Sequence, residues 1–337
     1  MMNNKLTHPL VDPELNVDLH ALISAGTANS TRRAYQRDVD YFWTWAQLRF
    51  EFITPHYPMN IEFVLRFILD HVTGLPSEID QRLVRDQRKQ HVGPLKVSTI
   101  KRYLASLSVI TQEHGYPSPL QHDQVKLLLR RARAATSADQ QPNKKAAITK
   151  DLLQKLLATC DNSLHGIRDK AILLLGFASG GRRRSELALL RVSDVSKSDQ
   201  GYMLQLRQSK TDPQGSGYCV PLHGEAAIAL NTWLIKSSIR EGYLFRGIKH
   251  NETYHENITG RSINRMIKRR IKQIGLNPET YGAHSLRSGF LTEAGNMGCH
   301  VRDAMQLSGH RDTKTALQYY RTGELNQNPA TRLLSSN

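Results

Sequence analysis

The sequence predicts a mainly α chain in two parts: an all-α N-terminal domain, then a mixed, mostly helical second domain with a small β-hairpin. Three observations predict it. In the first half, apolar residues recur at three- and four-residue spacing, and no strand signal competes. In the second half, two strand-like runs, 202–206 and 217–222, enclose a turn rich in Gly, Pro and Asp, as a hairpin does. Between the halves, residues 136–145 (TSADQQPNKK) are polar and carry a proline, which reads as a linker. We therefore divide the chain into residues 1–135, a linker at 136–146, and residues 147–337, two domains being what 337 residues allow.

Each element has its own signal. Ser30 is placed to cap a helix with Tyr35, Val39, Phe42 and Trp45 on one face. Ile61, Val64, Leu65 and Ile68 set the same rhythm over 61–72. Ser98 is placed to cap a helix through Ile100, Tyr103, Leu104, Leu107 and Ile110, and 124–134 reads as a short basic helix. Beyond the linker, Thr149 precedes a helix through Leu152, Leu156 and Leu157, and 172–177 is an apolar helix core. After the hairpin, helical patterns cover 226–239 and 258–274 and continue to the C-terminus.

Composition narrows the function. Hydrophobic residues make up 39% and charged residues 23%, enough for packed cores and unlike a wholly disordered chain. Lys and Arg number 46 against 30 Asp and Glu, a net charge of +16. Such a surplus points to a polyanionic partner, nucleic acid or an anionic membrane. No run approaches the roughly 18 apolar residues of a spanning helix, and residues 1–10 lack the apolar core of a signal peptide. Cys160, Cys219 and Cys299 are far apart, against a disulfide framework or cysteine zinc site and in keeping with a reducing cytosol. Both halves are basic, 20 against 14 in residues 1–150 and 26 against 16 in 151–337, so both are expected to touch the polyanion.

Four islands could carry chemistry: 180–187 (GGRRRSEL), 209–211 (SKT), 283–289 (AHSLRSG) and 307–321 (LSGHRDTKTALQYYR). Singly, each has a plainer reading: a solvated basic run, a solvated turn lysine, a structural histidine, tyrosines in a helix core. Together, on a strongly basic chain, arginines, a lysine, two histidines and a tyrosine suggest phosphodiester chemistry. Attack on a phosphodiester gathers negative charge on the nonbridging oxygens. Arginine holds such oxygens bidentately and keeps its charge, so two arginines do what a metal does elsewhere. A lysine supplies a proton to the leaving 5′ oxygen, and a histidine takes the tyrosine proton or bonds the phosphate. Tyrosine, with a pKa of about 10, needs this help to become a nucleophile. No HExxH, GxxxxGK[ST] or GxGxxG motif offers a metal or nucleotide alternative.

In this order and spacing the islands resemble the tyrosine recombinases, also called the phage integrase family, with a pattern most similar to the Cre-like members. The resemblance covers most of the chain. The family's first arginine stands two before the Ser of R-x-S-E-L, which is Arg183, and Glu186 matches its bracing acid. Lys210 matches the hairpin lysine, His284 and Arg287 the H-x-x-R box, and His310 the second histidine. The family nucleophile follows nine residues later, which selects Tyr319 over Tyr320. Three consecutive arginines depart from the family's single arginine among apolar neighbours. By the same resemblance Arg32, Arg33, Lys101 and Arg102 fall on DNA-facing helices of the first domain, and Arg261 and Arg265 on a major-groove helix of the second.

The resemblance implies a site-specific DNA recombinase that cleaves and rejoins strands through a 3′-phosphotyrosyl intermediate and a Holliday junction. It implies no cofactor, neither metal nor ATP. It implies a homotetramer over two double-stranded sites of inverted repeats around a short spacer, no membrane, and the cytoplasm and nucleoid of a bacterial or phage-infected cell. Leu333 and Leu334 would belong to a C-terminal tail exchanged between protomers. The other readings are a different tyrosine-based strand transferase (type IB topoisomerase or telomere resolvase) and a non-catalytic DNA-binding module.

Overall fold

The computed structural model describes residues 26–51, 56–136, 145–207, 217–251, 253–310 and 312–324. The chain divides into two compact units, Met1–Pro142 and Asn143–Asn337. The architecture is mainly α with one small sheet.

The first unit consists of α1 (Asn29–Phe50), α2 (Ile61–Thr73), α3 (Ser77–Arg85), α4 (Val97–Glu113) and α5 (Asp123–Thr136). Its core is the face that the spacing predicts. Phe42, Trp45, Phe67, Ile68, Ile100, Leu104 and Leu107 are fully buried, each contributing about 1.5–3 kcal/mol relative to exposure. Two expected caps are corrected. α1 starts from Ala28 and α4 from Lys96, so Ser30 and Ser98 lie inside the first turn and cap nothing. A serine there satisfies the composition of a helix start without having the extended backbone of a cap. α3 is an addition: it is polar, with Leu83 its one buried apolar residue, and too short to show a period.

The second unit opens with α6 (Lys150–Ala158) and α7 (Leu164–Ala178). Thr149 does occupy the N-cap position of α6, although its side chain makes no capping bond. Then come the short α8 (Arg184–Leu189), an antiparallel sheet of β1 (Val195–Ser198), β2 (Gly201–Leu206) and β3 (Tyr218–His223) in that order, and α9 (Gly224–Ser237). β2 and β3 form the expected hairpin, with Leu204 opposite Val220 and alternate residues buried. β1 escaped the sequence reading because VSKS has no buried position to set an alternation. Last come α10 (Gly260–Gln273), α11 (His284–Asn296), α12 (Val301–Ser308) and α13 (Thr313–Glu324).

α7 runs through the main core, with Ala171, Ile172, Leu173 and Leu175 fully buried beside Leu204, Leu230, Trp233, Ile267 and Leu286. A second, smaller cluster joins Leu291, Ala294, Ala304, Ala316 and Tyr320 of α11, α12 and α13. No helix among the described residues is long and apolar enough to cross a membrane. Lys210 and the C-terminal Leu333 and Leu334 lie outside the described residues.

Candidate active site

Segments of the second unit bring together the predicted residues that are described: Arg183, Glu186, His284, Arg287, His310 and Tyr319. α7 ends at two glycines with positive φ, Gly180 (96°) and Gly181 (71°). A Cβ on Gly181 would run into the Arg287 backbone, so only glycine lets the arginine island approach α11 this closely. Arg183 then stands just before α8, and Glu186 in the first turn accepts from its backbone N–H (3.2 Å) and its Nη1 (2.7 Å). One carboxylate thus fixes both the main chain and the guanidinium of Arg183.

His284 opens α11, and Arg287 lies on the same face one turn later. Asn264 of α10 accepts from the Ala283 N–H (2.9 Å) and so sets where α11 begins. Arg287 is buried. Its Nη1 donates to the carbonyls of Ser308 (2.6 Å) and Gly181 (3.2 Å), and its Nε to His310 Nε2 (3.1 Å). Its Nη2 has no hydrogen-bond partner among the described residues. Since Nε–H can only donate, His310 Nε2 accepts, and the His310 proton sits on Nδ1 and is shared with Ser308 Oγ (2.7 Å).

Tyr319, on α13, places its hydroxyl 3.4 Å from His284 Nε2. Tyr320 points elsewhere: it is buried, and its hydroxyl donates to the Cys299 carbonyl. Arg183, His284 and Arg287 line a pocket of about 420 Å³ together with Lys145, Arg184 and Lys268. None of its described lining residues is acidic.

The charges respond as such crowding requires. Burial, then Arg183 and Arg182, lowers the Arg287 pKa to about 10, which still leaves it charged at neutral pH. Burial, then Arg287 and Arg183, pulls His310 down to about 4. His284 is lowered by burial and by the same two arginines. Both histidines are therefore neutral at pH 7, and His284 is able to accept a proton from the hydroxyl facing it. A permanent guanidinium cluster in which Arg287 Nη2 and Arg182 Nε have no partner among the described residues is suited to an oxyanion.

The proposed DNA-contacting residues lie outside this pocket. Arg32 and Arg33 are exposed on α1, Lys101 on α4, and Arg261 and Arg265 on α10, four residues apart. Arg102 differs: its Nη1 bonds both carboxylate oxygens of the buried Asp38. Sequence reasoning missed Lys145 and Lys268, which carry no motif. It also left the buried Arg182 unassigned; the excess of arginines in its island was the available signal.

The model of the phage integrase family matches residues 146–325. An integrase/recombinase XerD homolog of Selenomonas ruminantium is 26% identical over 313 residues, 88% of this chain and 83% of that protein. The Cre recombinase of Escherichia phage P1 is 23% identical over 257 residues, 71% of this chain and 75% of its own. Xer-type relatives thus stand beside Cre, and the Cre-like members are not singled out. The structure of the Tn1549 transposon integrase in complex with transposon right end DNA has a similar fold, with a TM-score of 0.60 and 16% identity over 94% of this chain and 98% of that one.

Proposed function

The chain belongs to the phage integrase family, and from that premise we propose that Tyr319 is the nucleophile of a site-specific DNA recombinase. The enzyme is of the tyrosine type. In our reading the Tyr319 oxygen attacks the scissile phosphorus while its proton passes to His284 Nε2. The bond to the 5′ oxygen breaks, Lys210 protonates that oxygen, and a 3′-phosphotyrosyl link remains. A 5′ hydroxyl from a partner strand then attacks the link and restores the phosphodiester, so no external energy source is consumed.

Arg183 and Arg287 hold the nonbridging oxygens, Glu186 braces Arg183, and His310, which accepts the Arg287 Nε–H, acts on the phosphate through that guanidinium. The observation that carries this reading is the convergence of Arg183, His284 and Arg287 on one cationic pocket, with the Tyr319 hydroxyl 3.4 Å from His284. We further propose double-stranded sites of inverted repeats, a homotetramer over two sites, exchange through a Holliday junction, and action in the bacterial cytoplasm. The basic surplus in both halves supports a duplex contacted by both units.

The test is covalent capture. The full chain, in EDTA and without ATP, is mixed with a randomised library of nicked duplexes, and species that survive a denaturing gel are sequenced. A retarded band that is absent in Tyr319→Phe and present in Tyr320→Phe is expected. Loss in Tyr320→Phe alone would move the nucleophile by one residue. DNA binding with no band from the unsubstituted protein would argue for a binding module.

A further inference from the structure

Arg182 is 1% exposed, deeper than either arginine assigned to the phosphate, and it contributes to the lining of the same pocket. A leucine or methionine would fill the same space without desolvating a charge, which is costly unless the charge is well paired. The pairing is informative. Nη1 donates to the Tyr218 hydroxyl at the start of β3, and Nη2 donates to the Leu307 carbonyl at the end of α12. Glu186 Oε2 stands 3.7 Å from Nη1, so the carboxylate that braces Arg183 also faces Arg182.

The Leu307 carbonyl is the first of two successive acceptors in one turn. Arg182 takes Leu307, and Arg287 takes the next, Ser308, at 2.6 Å. The same turn carries Ser308 Oγ to His310 Nδ1 (2.7 Å), and His310 Nε2 receives Arg287 Nε–H (3.1 Å). Tyr218 closes the arrangement from the other side. Gly309 has φ +67°, and a Cβ there would lie 2.7 Å from the Tyr218 hydroxyl. Two guanidinium groups and one hydroxyl thus define a four-residue turn, and that turn orients both side chains of the Arg287–His310 pair.

We infer that Arg182 is a positioning residue for strand cleavage: it ties β3 to the Leu307–His310 turn, which in turn aims Arg287 and His310 at the scissile phosphate. The inference rests on the functional reading above. Although Arg182 shares the pocket lining, its Nη1 and Nη2 are committed to Tyr218 and the Leu307 carbonyl, so it acts through its neighbours. Its removal acts through the placement of Arg287, and a misplacement of about 1 Å in a reacting constellation costs on the order of 100-fold in rate. Neither DNA affinity nor the fraction of competent enzyme should change with it.

The experiment uses the full chain and a nicked half-site obtained by the covalent capture described above. Single-turnover formation of the phosphotyrosyl complex, at saturating protein, gives a rate constant and an amplitude for Arg182→Met, Arg182→Lys and Tyr218→Phe. Kd for the same duplex and Tm are measured alongside. For Arg182→Met the rate constant is expected to fall about 10- to 100-fold at full amplitude, with Kd within about twofold. Arg182→Lys restores part of the rate, because it keeps a buried cationic donor for one of the two acceptors. Tyr218→Phe, which removes one oxygen and leaves the packing, falls about fivefold by the same argument. If Arg182→Met does not fold, Tyr218→Phe and Arg182→Lys carry the test. Unchanged rate constants with reduced amplitude and Tm would make Arg182 a fold element and overturn the inference, as would a rise in Kd that accounts for the lost rate. A wild-type rate in Tyr218→Phe would overturn the tie to β3. Failure of the functional reading shows separately, as a phosphotyrosyl band that persists in Tyr319→Phe.

Discussion

Tyr319 and Tyr320 are adjacent in sequence and opposite in environment, which is what a helix does to neighbours 100° apart. Tyr320 turns into the small core beside Leu291 and Ala316, while Tyr319 faces His284. The spacing of the family that the chain resembles selects Tyr319, and the packing commits the Tyr320 hydroxyl elsewhere. The histidines around the site make a prediction at the same scale. His310 is held down to about 4 by burial and by Arg287 and Arg183, and His71 in the first unit is held down to about 4 by burial. His71 is neutral for a visible reason: Nδ1 donates to the Phe67 carbonyl (2.7 Å), and Nε2 accepts from Tyr41 (2.8 Å). Unfolded, both residues would protonate near 6.5. The unfolded state therefore binds protons first as pH falls. The stability contribution is fully present above about 6.5 and is lost as pH falls toward about 4. Urea midpoints are expected to decline steadily from pH 7 to pH 4.5, with a shallower decline in His310→Asn. A midpoint that rises on acidification would contradict the assignment of neutral histidines.

Among the elements, legibility followed the strength of the period. α1, α2 and α4 were readable because each buries one apolar stripe, and β2 and β3 because their alternation survives in six residues. α3 and β1 were not, since neither presents more than one or two buried apolar positions. Also invisible in sequence was how α10 is held. Asp169 of α7 is completely buried and accepts from Arg269 (2.6 Å) and Arg270 (2.8 Å) of α10 and from Arg168 (2.8 Å). Arg270 also reaches the Thr159 carbonyl. Ion pairs between residues a hundred positions apart leave no local pattern, and Arg269 and Arg270 read simply as part of the helical pattern over 258–274. Removing one charge from such a buried cluster leaves the others uncompensated, at a cost of about 3–5 kcal/mol. Asp169→Asn is therefore expected to lower the urea unfolding free energy by that amount. A loss below about 1 kcal/mol, the value of an exposed pair, would mean that the cluster is solvated in solution.

For the whole molecule, the net charge of +16 announced a polyanionic partner, but the 46 Lys and Arg overstate the number of cations available to one. Several are committed to carboxylates inside their own unit. In the first unit Arg49 and Arg66 share Asp70, Lys89 pairs with Asp80, and Arg102 grips Asp38 beside Ser106. Lys101, one residue before Arg102, is exposed on the same helix. The two residues looked equivalent in sequence, because a buried aspartate 64 positions away cannot be read from either of them. Their consequences for DNA should differ. Each phosphate neutralised contributes about −0.9 to the slope of log affinity against log salt. Lys101→Ala is expected to weaken binding of all duplexes alike and to make the slope shallower by about one unit, with Tm unchanged. Arg102→Ala should leave the slope nearly as it was and lower Tm instead, because it strands the Asp38 carboxylate in the core. Titrations of the full chain at 50, 100 and 200 mM KCl, on one duplex of selected sequence and one of random sequence, separate the two outcomes. If Arg102→Ala reduced the slope as much as Lys101→Ala, the Asp38 bond would have to open on DNA, and the first unit would exchange an internal ion pair for a phosphate contact.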